Sequence, residues 1–310
     1  MSDESLHGRW VEIGDLEVDV NGLESLIGEP ISAIVPIEGG SINRVARIEL
    51  QGGTALILRI APSYDEAFDE PTWLTHEKLA EEQRTLQRLA KVKSIGKLLP
   101  RTIHFEDSLA FDVGDMVIQT FVSGQSAASV LPSMTAAERL DFYRQLGEMT
   151  RDLHSVSSKW FGPSWSGDRL PTWSALVLSD CKGFLEDADA MDLPEAEFEE
   201  LMQLVADNGA ELEAIPSAFI HSDLSMEHVF IEQKSNQWKI SGLIDLEFAR
   251  FADPVSEGLL LEMLQCSDQD SAAFFAGYGS DFEASEIRID IAKRLLAAWN
   301  ITDKARLARE

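Results

Sequence analysis

Two stretches decide the fold of this sequence: HSDLSMEH at residues 221–228 and GLIDLE at residues 242–247. The apolar run at 218–220 predicts a buried strand that leads into the first stretch, and 229–231 predicts a second strand that leaves it. A polar turn separates the second strand from a third at 238–244, so these two strands are expected to form a hairpin. The two stretches should therefore lie side by side at one end of that hairpin.

Three of the ionisable side chains in these stretches are placed to meet at one point. Asp223, His228 and Asp245 are expected to converge, because the entry and exit of a hairpin are neighbours. Phosphoryl transfer needs such an arrangement: one carboxylate orients or deprotonates the attacking hydroxyl, and bound Mg²⁺ neutralises the developing charge. Each carboxylate alone would be read as an ordinary turn residue. Their order around an apolar hairpin favours the catalytic interpretation.

The segment at 221–254 resembles the aminoglycoside phosphotransferase family, whose motif is close to H-G-D-L-x-x-x-N followed by I-D-x-E and D-P. The resemblance implies that Asp223 is the catalytic base and that His228 and Asp245 are metal ligands. His228 stands in the place of the family's Asn. Imidazole is a softer ligand than Mg²⁺ prefers, so Mn²⁺ is a second candidate. Ser222 stands in the place of the family's Gly, which by sequence is expected to be a mild change.

A pair of glycines lies early in the chain. Gly39, Gly40 and Ser41 fall between predicted strands at 31–37 and 45–50. Such a turn lets backbone N–H groups approach a triphosphate closely. A plain hairpin is the commoner meaning of this pattern, and the stretch lacks the G-x-x-x-x-G-K-[ST] motif. It resembles the family's G-G-x-x-N, however, which implies a nucleotide-binding turn.

A predicted helix carries a carboxylate in its apolar stripe. Leu79, Glu82 and Leu86 fall on one helical face. An unpaired buried carboxylate is costly, so Glu82 should have a cationic partner. Arg59, near the end of a predicted strand at 54–60, is the candidate. The resemblance implies that Arg59 grips nucleotide phosphates and that Glu82 holds it, whereas a plain Arg–Glu bridge is the structural alternative.

A sheet-rich first part and a helix-rich second part predict two lobes. Residues 1–121 are expected to form a nucleotide-binding lobe, and residues 122–310 a catalytic and substrate-binding lobe. The resemblance implies an α+β, two-lobed protein-kinase-like fold with an antiparallel-sheet N-lobe and a mainly helical C-lobe. Gln119 and Phe121, where the parts meet, match the family's base-binding hinge.

Helices are predicted throughout the second part. Within them, His154 is expected to be a packed or helix-capping histidine, and Glu257 to cap or pair within its own helix. The helices predicted in the whole chain lie at 23–27, 73–93, 135–154, 173–190, 195–214, 254–266 and 285–300.

Composition limits the partners. The 310 residues include 26 Lys and Arg against 54 Asp and Glu, a net charge of −28. This charge argues against nucleic acid and anionic lipid and favours a cationic acceptor, although an acidic surface also simply keeps a protein in solution. No apolar run approaches a membrane span, and the polar, acidic start is not a signal peptide. Cys181 and Cys266 offer neither a disulfide framework nor zinc spacing, which fits a cytoplasmic location.

The features together predict an ATP-dependent small-molecule kinase that phosphorylates a hydroxyl of a small acceptor, such as an aminoglycoside, with GTP as a second candidate donor. One alternative is a non-catalytic nucleotide-binding regulatory protein of the same fold. Another is a metal-dependent hydrolase built on His221, His228 and the two aspartates, which would leave Arg59 and Glu82 without a role. A protein kinase is disfavoured because no A-P-E segment follows Asp245.

Overall fold

The structure is a computed structural model that describes residues 9–14, 16–37, 43–61, 78–106, 115–163 and 169–307. Contacts between Cα atoms divide the chain into two compact units. The first unit contains the described residues within 1–68 and 100–122. The second unit contains the described residues within 69–99 and 123–310. The lobe boundary after residue 121 stays a prediction. Within the described ranges, no helix combines the length and the apolar character needed to cross a bilayer.

The first unit is mostly strands. Its elements are β1 (Trp10–Ile13), β2 (Leu16–Asp19), α1 (Val20–Ile27), β3 (Ile31–Ile37), β4 (Arg44–Leu50), β5 (Ala55–Ile60), β6 (Thr102–Glu106) and β7 (Met116–Thr120). Five strands form one sheet in the order β3-β4-β5-β7-β6, with every neighbouring pair antiparallel. Strands β1 and β2 form a separate hairpin.

Alternation of apolar residues gives this sheet one packed face. Ala46 lies opposite Leu58, and Ile48 lies opposite Leu56 in the register of β4 and β5; all four are buried. They join one apolar cluster with residues of α1 and of the β1–β2 hairpin. Burying an aliphatic side chain of this size contributes about 1.5–3 kcal/mol. Residues that alternate with them, such as Arg59, point to the opposite face because side chains alternate along a strand.

The second unit is mainly helical. Its helices are α2 (Lys78–Leu89), α3 (Lys93–Gly96), α4 (Ala127–Val130), α5 (Ala136–His154), α6 (Trp173–Met191), α7 (Ala196–Asp207), α8 (Gly209–Leu212), α9 (Gly258–Gln265), α10 (Gln269–Tyr278) and α11 (Glu286–Leu307). Its short strands are β8 (Gln125–Ser126), β9 (Gly162–Pro163), β10 (Ala218–Ile220), β11 (Val229–Lys234), β12 (Gln237–Leu243) and β13 (Arg250–Ala252). An antiparallel sheet followed by a helical region confirms the predicted α+β class.

The predicted hairpin in the second unit is present. Strand β11 pairs antiparallel with β12, so that Val229 lies opposite Leu243. The turn residues Ser235 and Asn236 have φ of 51° and 60°. Two consecutive positive φ values are typical of a type I′ turn, whose twist matches that of the strands. The hairpin therefore holds the start of β11 and the end of β12 together.

Helices α5 and α10 cross at reciprocal glycines. A Cβ atom on Gly147 would overlap the carbonyl oxygen of Phe274, and one on Gly277 would overlap the carbonyl oxygen of Arg144. The two backbones can lie this close only because both positions lack a side chain. The contact fixes α10 against the helix that ends at His154.

Some helix predictions were wrong in extent. The helix predicted at 73–93 ends at Leu89, and its first residues lie outside the described part of the chain. The helix predicted at 195–214 is interrupted at Asn208, whose side chain donates to the Leu204 carbonyl and so competes with helical hydrogen bonding. Strands β1 and β2 and helix α10 were not predicted. The sequence also predicts a strand at 109–113, and this stretch lies outside the described residues.

Candidate active site

Three ionisable side chains meet where β10 and β12 end. His228 Nε2 lies 3.3 Å from Asp245 Oδ2, and His228 Nδ1 lies 3.6 Å from Asp223 Oδ2. One potential ligand atom from each of the three residues lies within 4.8 Å of the others. The structure thus brings together the residues for which the sequence predicts catalysis and metal binding. The individual roles stay predictions.

A backbone hydrogen bond sets the tautomer of His228. Its Nδ1 lies 2.8 Å from the carbonyl oxygen of Asp223, an atom that can only accept, so Nδ1 carries the proton. In the neutral imidazole, Nε2 then keeps its lone pair, and this is the atom closer to Asp245. Metal-binding histidines are oriented in the same way, by donating their other ring N–H to a carbonyl or carboxylate.

Asp223 combines exposure with a perturbed acidity. About half of its side chain is exposed, at 52%, so a ligand can reach the carboxylate. Burial of the remainder raises the pKa of Asp223, against the opposing influence of His228 and His221. Proximity to Asp245 and Glu257 also raises it. A carboxylate with raised proton affinity suits a group that must accept a proton.

Two site residues adopt left-handed backbone conformations. Ser222 has φ of 70° and Asp245 has φ of 66°. This region costs a residue with a Cβ atom roughly 1–2 kcal/mol, so the surrounding contacts must hold it in place. The Ser222 conformation explains why the family's motif has Gly there. The substitution is therefore not the mild change that the sequence suggests.

Glu257 supports the loop at 221–228 through hydrogen bonds to its backbone. This fully buried carboxylate accepts hydrogen bonds from the backbone N–H of His221, at 2.7 Å, and of Ser222, at 3.4 Å. Complete burial acts to raise the pKa of Glu257, but His154 and His221 lower it by more, so the pKa falls below its ordinary value. The expectation that Glu257 caps or pairs within its own helix is wrong. Its side chain makes no capping bond to α9 and is directed to the loop instead.

A second layer of buried polar groups lies behind Glu257. His154, the last residue of α5, contacts Glu257 and pairs through Nδ1 with the Tyr278 hydroxyl at 2.8 Å. Asp253, also fully buried, caps the turn that precedes α9 and accepts two hydrogen bonds from Arg288 at 2.8 Å and 2.6 Å. The first pair joins α5 to α10 beside Glu257, and the second joins α11 to the turn that precedes α9.

The segment around Asp245 is held on both sides. The Ile244 N–H donates to the His228 carbonyl at 3.1 Å, and the Ile244 carbonyl accepts from His221 Nε2 at 3.0 Å. Leu246 N–H donates to the carboxylate of Glu82 at 3.2 Å. The buried glutamate predicted on α2 is therefore connected directly to the residue after Asp245.

The remaining predicted nucleotide residues lie in the first unit. Arg59, on β5, and Gln119, on β7, are both buried, and Phe121 follows β7. Glu82 belongs to the second unit, so its pairing with Arg59 stays a prediction. The glycine turn, with Gly39, Gly40 and Ser41, lies outside the described residues.

Sequence reasoning missed three residues that shape the site: Glu257 as a loop support, and Tyr278 and Arg288 behind it. For Glu257 a signal existed, because this carboxylate directly precedes the apolar run 258–261 and would be buried with it. Tyr278 and Arg288 lie on α10 and α11, far along the chain, and no local pattern links them to the loop.

The residues at the site fit a divalent metal. Two carboxylates and an imidazole nitrogen form a mixed oxygen and nitrogen donor set. Oxygen ligands suit Mg²⁺, and the added imidazole suits Mn²⁺ as well. The fixed tautomer of His228 leaves its donor atom available for a metal.

Comparison with known proteins agrees with this geometry. The sequence pattern of the phosphotransferase enzyme family matches residues 33–289. The chain therefore belongs to this family. No curated protein matches the sequence closely enough to be counted as a relative.

Solved structures with the same fold are aminoglycoside and macrolide phosphotransferases of protein-kinase-like fold. The apoenzyme of macrolide 2′-phosphotransferase MphH from Brachybacterium faecium has a TM-score of 0.61 at 16% identity, covering 93% of this chain and 92% of that one. A thermostable mutant of aminoglycoside phosphotransferase APH(4)-Ia, bound to ADP and hygromycin B, has a TM-score of 0.62 at 14% identity, covering 92% and 90%. A GDP complex of a mutant aminoglycoside 2′-phosphotransferase-IIIa has a TM-score of 0.61 at 17% identity, covering 94% and 92%.

Proposed function

We propose that the protein is an ATP-dependent O-phosphotransferase that transfers the γ-phosphate to a hydroxyl group of a small acceptor. The observation that carries the proposal is the convergence of Asp223, His228 and Asp245, with ligand atoms within 4.8 Å. Membership of the phosphotransferase family supports it, as do the nucleotides in similar structures. GTP is a second candidate donor, since one of those structures holds GDP.

Asp223 is assigned the role of base. Its half-exposed carboxylate is open to an acceptor hydroxyl. In the reaction, the hydroxyl oxygen bonds to the γ-phosphorus, and the bond between that phosphorus and the bridging oxygen breaks. ADP departs with the bridging oxygen, and the hydroxyl proton passes to Asp223.

His228 and Asp245 are assigned to Mg²⁺, with Mn²⁺ as the alternative. When bound, the cation neutralises charge on the phosphate oxygens. The chain's own contribution is orientation: the Asp223 carbonyl fixes the imidazole of His228. The hydrogen bonds of Ile244 and Leu246 restrain the backbone on either side of Asp245.

Residues of the first unit, together with Glu82 of the second, are assigned to the nucleotide. Arg59 would grip phosphate with its planar guanidinium, and Glu82 would hold that group in place. The turn at Gly39, Gly40 and Ser41 would offer backbone N–H groups to the phosphates. The backbone at Gln119 and Phe121 would bind the base.

The proposed acceptor is a small cationic alcohol, of which an aminoglycoside is the leading example. The net charge of −28 supports a cationic acceptor, and the hygromycin B complex of a similar structure supports its class. A cytoplasmic location belongs to the same proposal, since Cys181 and Cys266 are both free thiols.

The decisive experiment measures coupled ADP release over aminoglycosides, macrolides, choline, sugars and amino-alcohols. Asp223→Asn should abolish turnover of the accepted substrate while leaving nucleotide affinity largely intact by calorimetry. Glu227→Gln, an exposed carboxylate in the same loop, is the matched control and should retain activity. Equal turnover in Asp223→Asn would refute the assignment of the base. Nucleotide binding without turnover of any acceptor would favour the regulatory alternative.

A further inference from the structure

The five-stranded sheet of the first unit carries two arginines on the face opposite its apolar cluster. In the register of β4, β5 and β7, Arg47 and Gln119 flank Ile57 on either side. Ile57 lies two residues before Arg59 on β5, and alternate residues of a strand face the same way. Arg47 and Arg59 therefore share the face opposite the apolar cluster of the sheet.

Arg47 extends across the middle of this face. Its guanidinium carbon lies 4.9 Å from the centre of the Phe121 ring. Phe121 follows β7, and its backbone N–H donates to Ala55 of β5 at 3.4 Å. Because β5 lies between β4 and β7, the Arg47 side chain must cross β5 to reach that ring. It crosses at the level of residues 55–57, about 7 Å along the strand from Arg59.

The guanidinium of Arg47 has hydrogen-bonding capacity to spare. Its Nε atom is buried and has no acceptor among the described residues. A terminal nitrogen lies 3.4 Å from Glu49, but both side chains are more than 40% exposed, at 42% and 45%, so water weakens the pair. Stacking on an aromatic ring fixes the guanidinium plane and directs its N–H groups sideways along the face. A ligand atom on this face would satisfy the buried donor.

We propose that Arg47 is a further nucleotide-binding residue, and that it contacts the nucleoside part of the nucleotide rather than its phosphates. The inference rests on the proposed function, because it takes Arg59 as the phosphate ligand and Phe121 as part of the base site. Arg47 reaches the ring of Phe121 and is separated from Arg59 by two residues of β5. The groups it would bind are therefore acceptors of the ribose or of the base.

The test compares the affinity of ATP with that of tripolyphosphate, which lacks the nucleoside. Both are measured by displacement of a fluorescent nucleotide from the full-length protein. In Arg47→Met, the ratio of ATP affinity to tripolyphosphate affinity should fall about tenfold, as expected for losing one cation–π-supported contact. In Arg59→Met, the same ratio should rise, because tripolyphosphate loses its contact with Arg59 while ATP keeps the contacts of its nucleoside.

Two further variants separate the contact from charge and folding. Arg44→Met removes the same charge from β4 on the packed face and should leave the ratio unchanged. Arg47→Lys keeps the charge but not the planar group, and it should lower the ratio as Arg47→Met does. An unchanged ratio in both Arg47 variants, while the wild type binds ATP, would overturn this inference and leave the proposed function standing. A wild-type protein that binds neither ATP nor GTP would overturn both.

Discussion

Glu257 and His221 are joined by a buried hydrogen bond, in which the His221 backbone N–H donates to Glu257 Oε2 at 2.7 Å. The two residues are 36 positions apart in the chain. The same carboxylate reaches Ser222, whose left-handed conformation needs an external restraint. The loop that carries Asp223 thus owes its shape to a group that performs no chemistry itself.

Neutralising Glu257 should destabilise the protein in a pH-dependent way. Glu257→Gln keeps the shape but removes a charge that accepts two N–H groups, so the free energy of unfolding should fall by about 2 kcal/mol at pH 7. The folded-state pKa of Glu257 lies below its ordinary value, so the charge stabilises the fold above the unfolded-state pKa. This contribution is lost as pH falls through the folded-state value.

Urea denaturation at several pH values tests this expectation. The difference between wild type and Glu257→Gln should narrow below about pH 4.3, the ordinary glutamate pKa. Glu227→Gln, exposed in the loop above, should change the free energy of unfolding by less than about 0.5 kcal/mol. A gap that stays constant from pH 7 to pH 3.5 would contradict the assignment of a charged Glu257.

Replacing Ser222 by Gly should stabilise the protein. Glycine adopts φ of 70° without a Cβ clash, and the change also removes a buried hydroxyl that has no partner among the described residues. The expected gain is about 1 kcal/mol, after the greater entropy of glycine in the unfolded chain is subtracted. Thermal and urea unfolding would measure it. Ser225→Gly, in the same loop but without positive φ, should be destabilising; a gain there would remove backbone strain as the explanation.

The α5–α10 crossing should not tolerate a methyl group. Gly147→Ala places Cβ against the Phe274 carbonyl, and separating the helices should cost about 3 kcal/mol. Gly209→Ala is the matched control, because a Cβ atom at that position would have nothing within 4 Å and Ala favours α8. Differential scanning calorimetry should show a lower Tm for Gly147→Ala and an equal or higher Tm for Gly209→Ala. A similar change in Tm for Gly147→Ala and Gly209→Ala would rule out the close crossing of α5 and α10.

His228→Asn should shift metal preference toward Mg²⁺. An amide oxygen is harder than an imidazole nitrogen, so Mn²⁺ should lose its relative advantage. Electron paramagnetic resonance would measure Mn²⁺ binding with the nucleotide present and Mg²⁺ as competitor. In His228→Asn, the affinity for Mn²⁺ should fall by about tenfold. His104→Asn, in β6 of the first unit, is the control and should leave the competition unchanged. The same preference between Mg²⁺ and Mn²⁺ in His228→Asn as in the wild type would exclude His228 from the metal site.

The sequence predicted the elements whose cause is local. Strands β10, β11 and β12 are short apolar runs bounded by polar turns, and the hairpin alone was enough to bring His228 to Asp245. The helix that begins after Thr135 was also predicted, because its capping box is a four-residue signal, and the structure shows both of its hydrogen bonds.

What the sequence could not predict depends on contacts between distant residues. Glu257 looked like a helix-capping residue because its partners, the N–H groups of His221 and Ser222, lie more than 30 positions away. Ser222 looked like a minor departure from the motif because the sequence does not give the backbone angle φ at that position. Helix α10 was missed because its weakly patterned sequence is held by close packing on α5 through Gly147 and Gly277.

One support of the catalytic loop, the carboxylate of Glu257, comes later in the chain than the loop itself. Glu257 follows His221, and Tyr278, the partner of His154 beside Glu257, follows later still, so a ribosome releases the loop before it releases these two residues. A nascent chain that ends before residue 257 contains Asp223 and His228 but cannot yet hold them in their final geometry. Competence to bind metal and acceptor is therefore expected to arise late in synthesis, after the last of these residues has emerged.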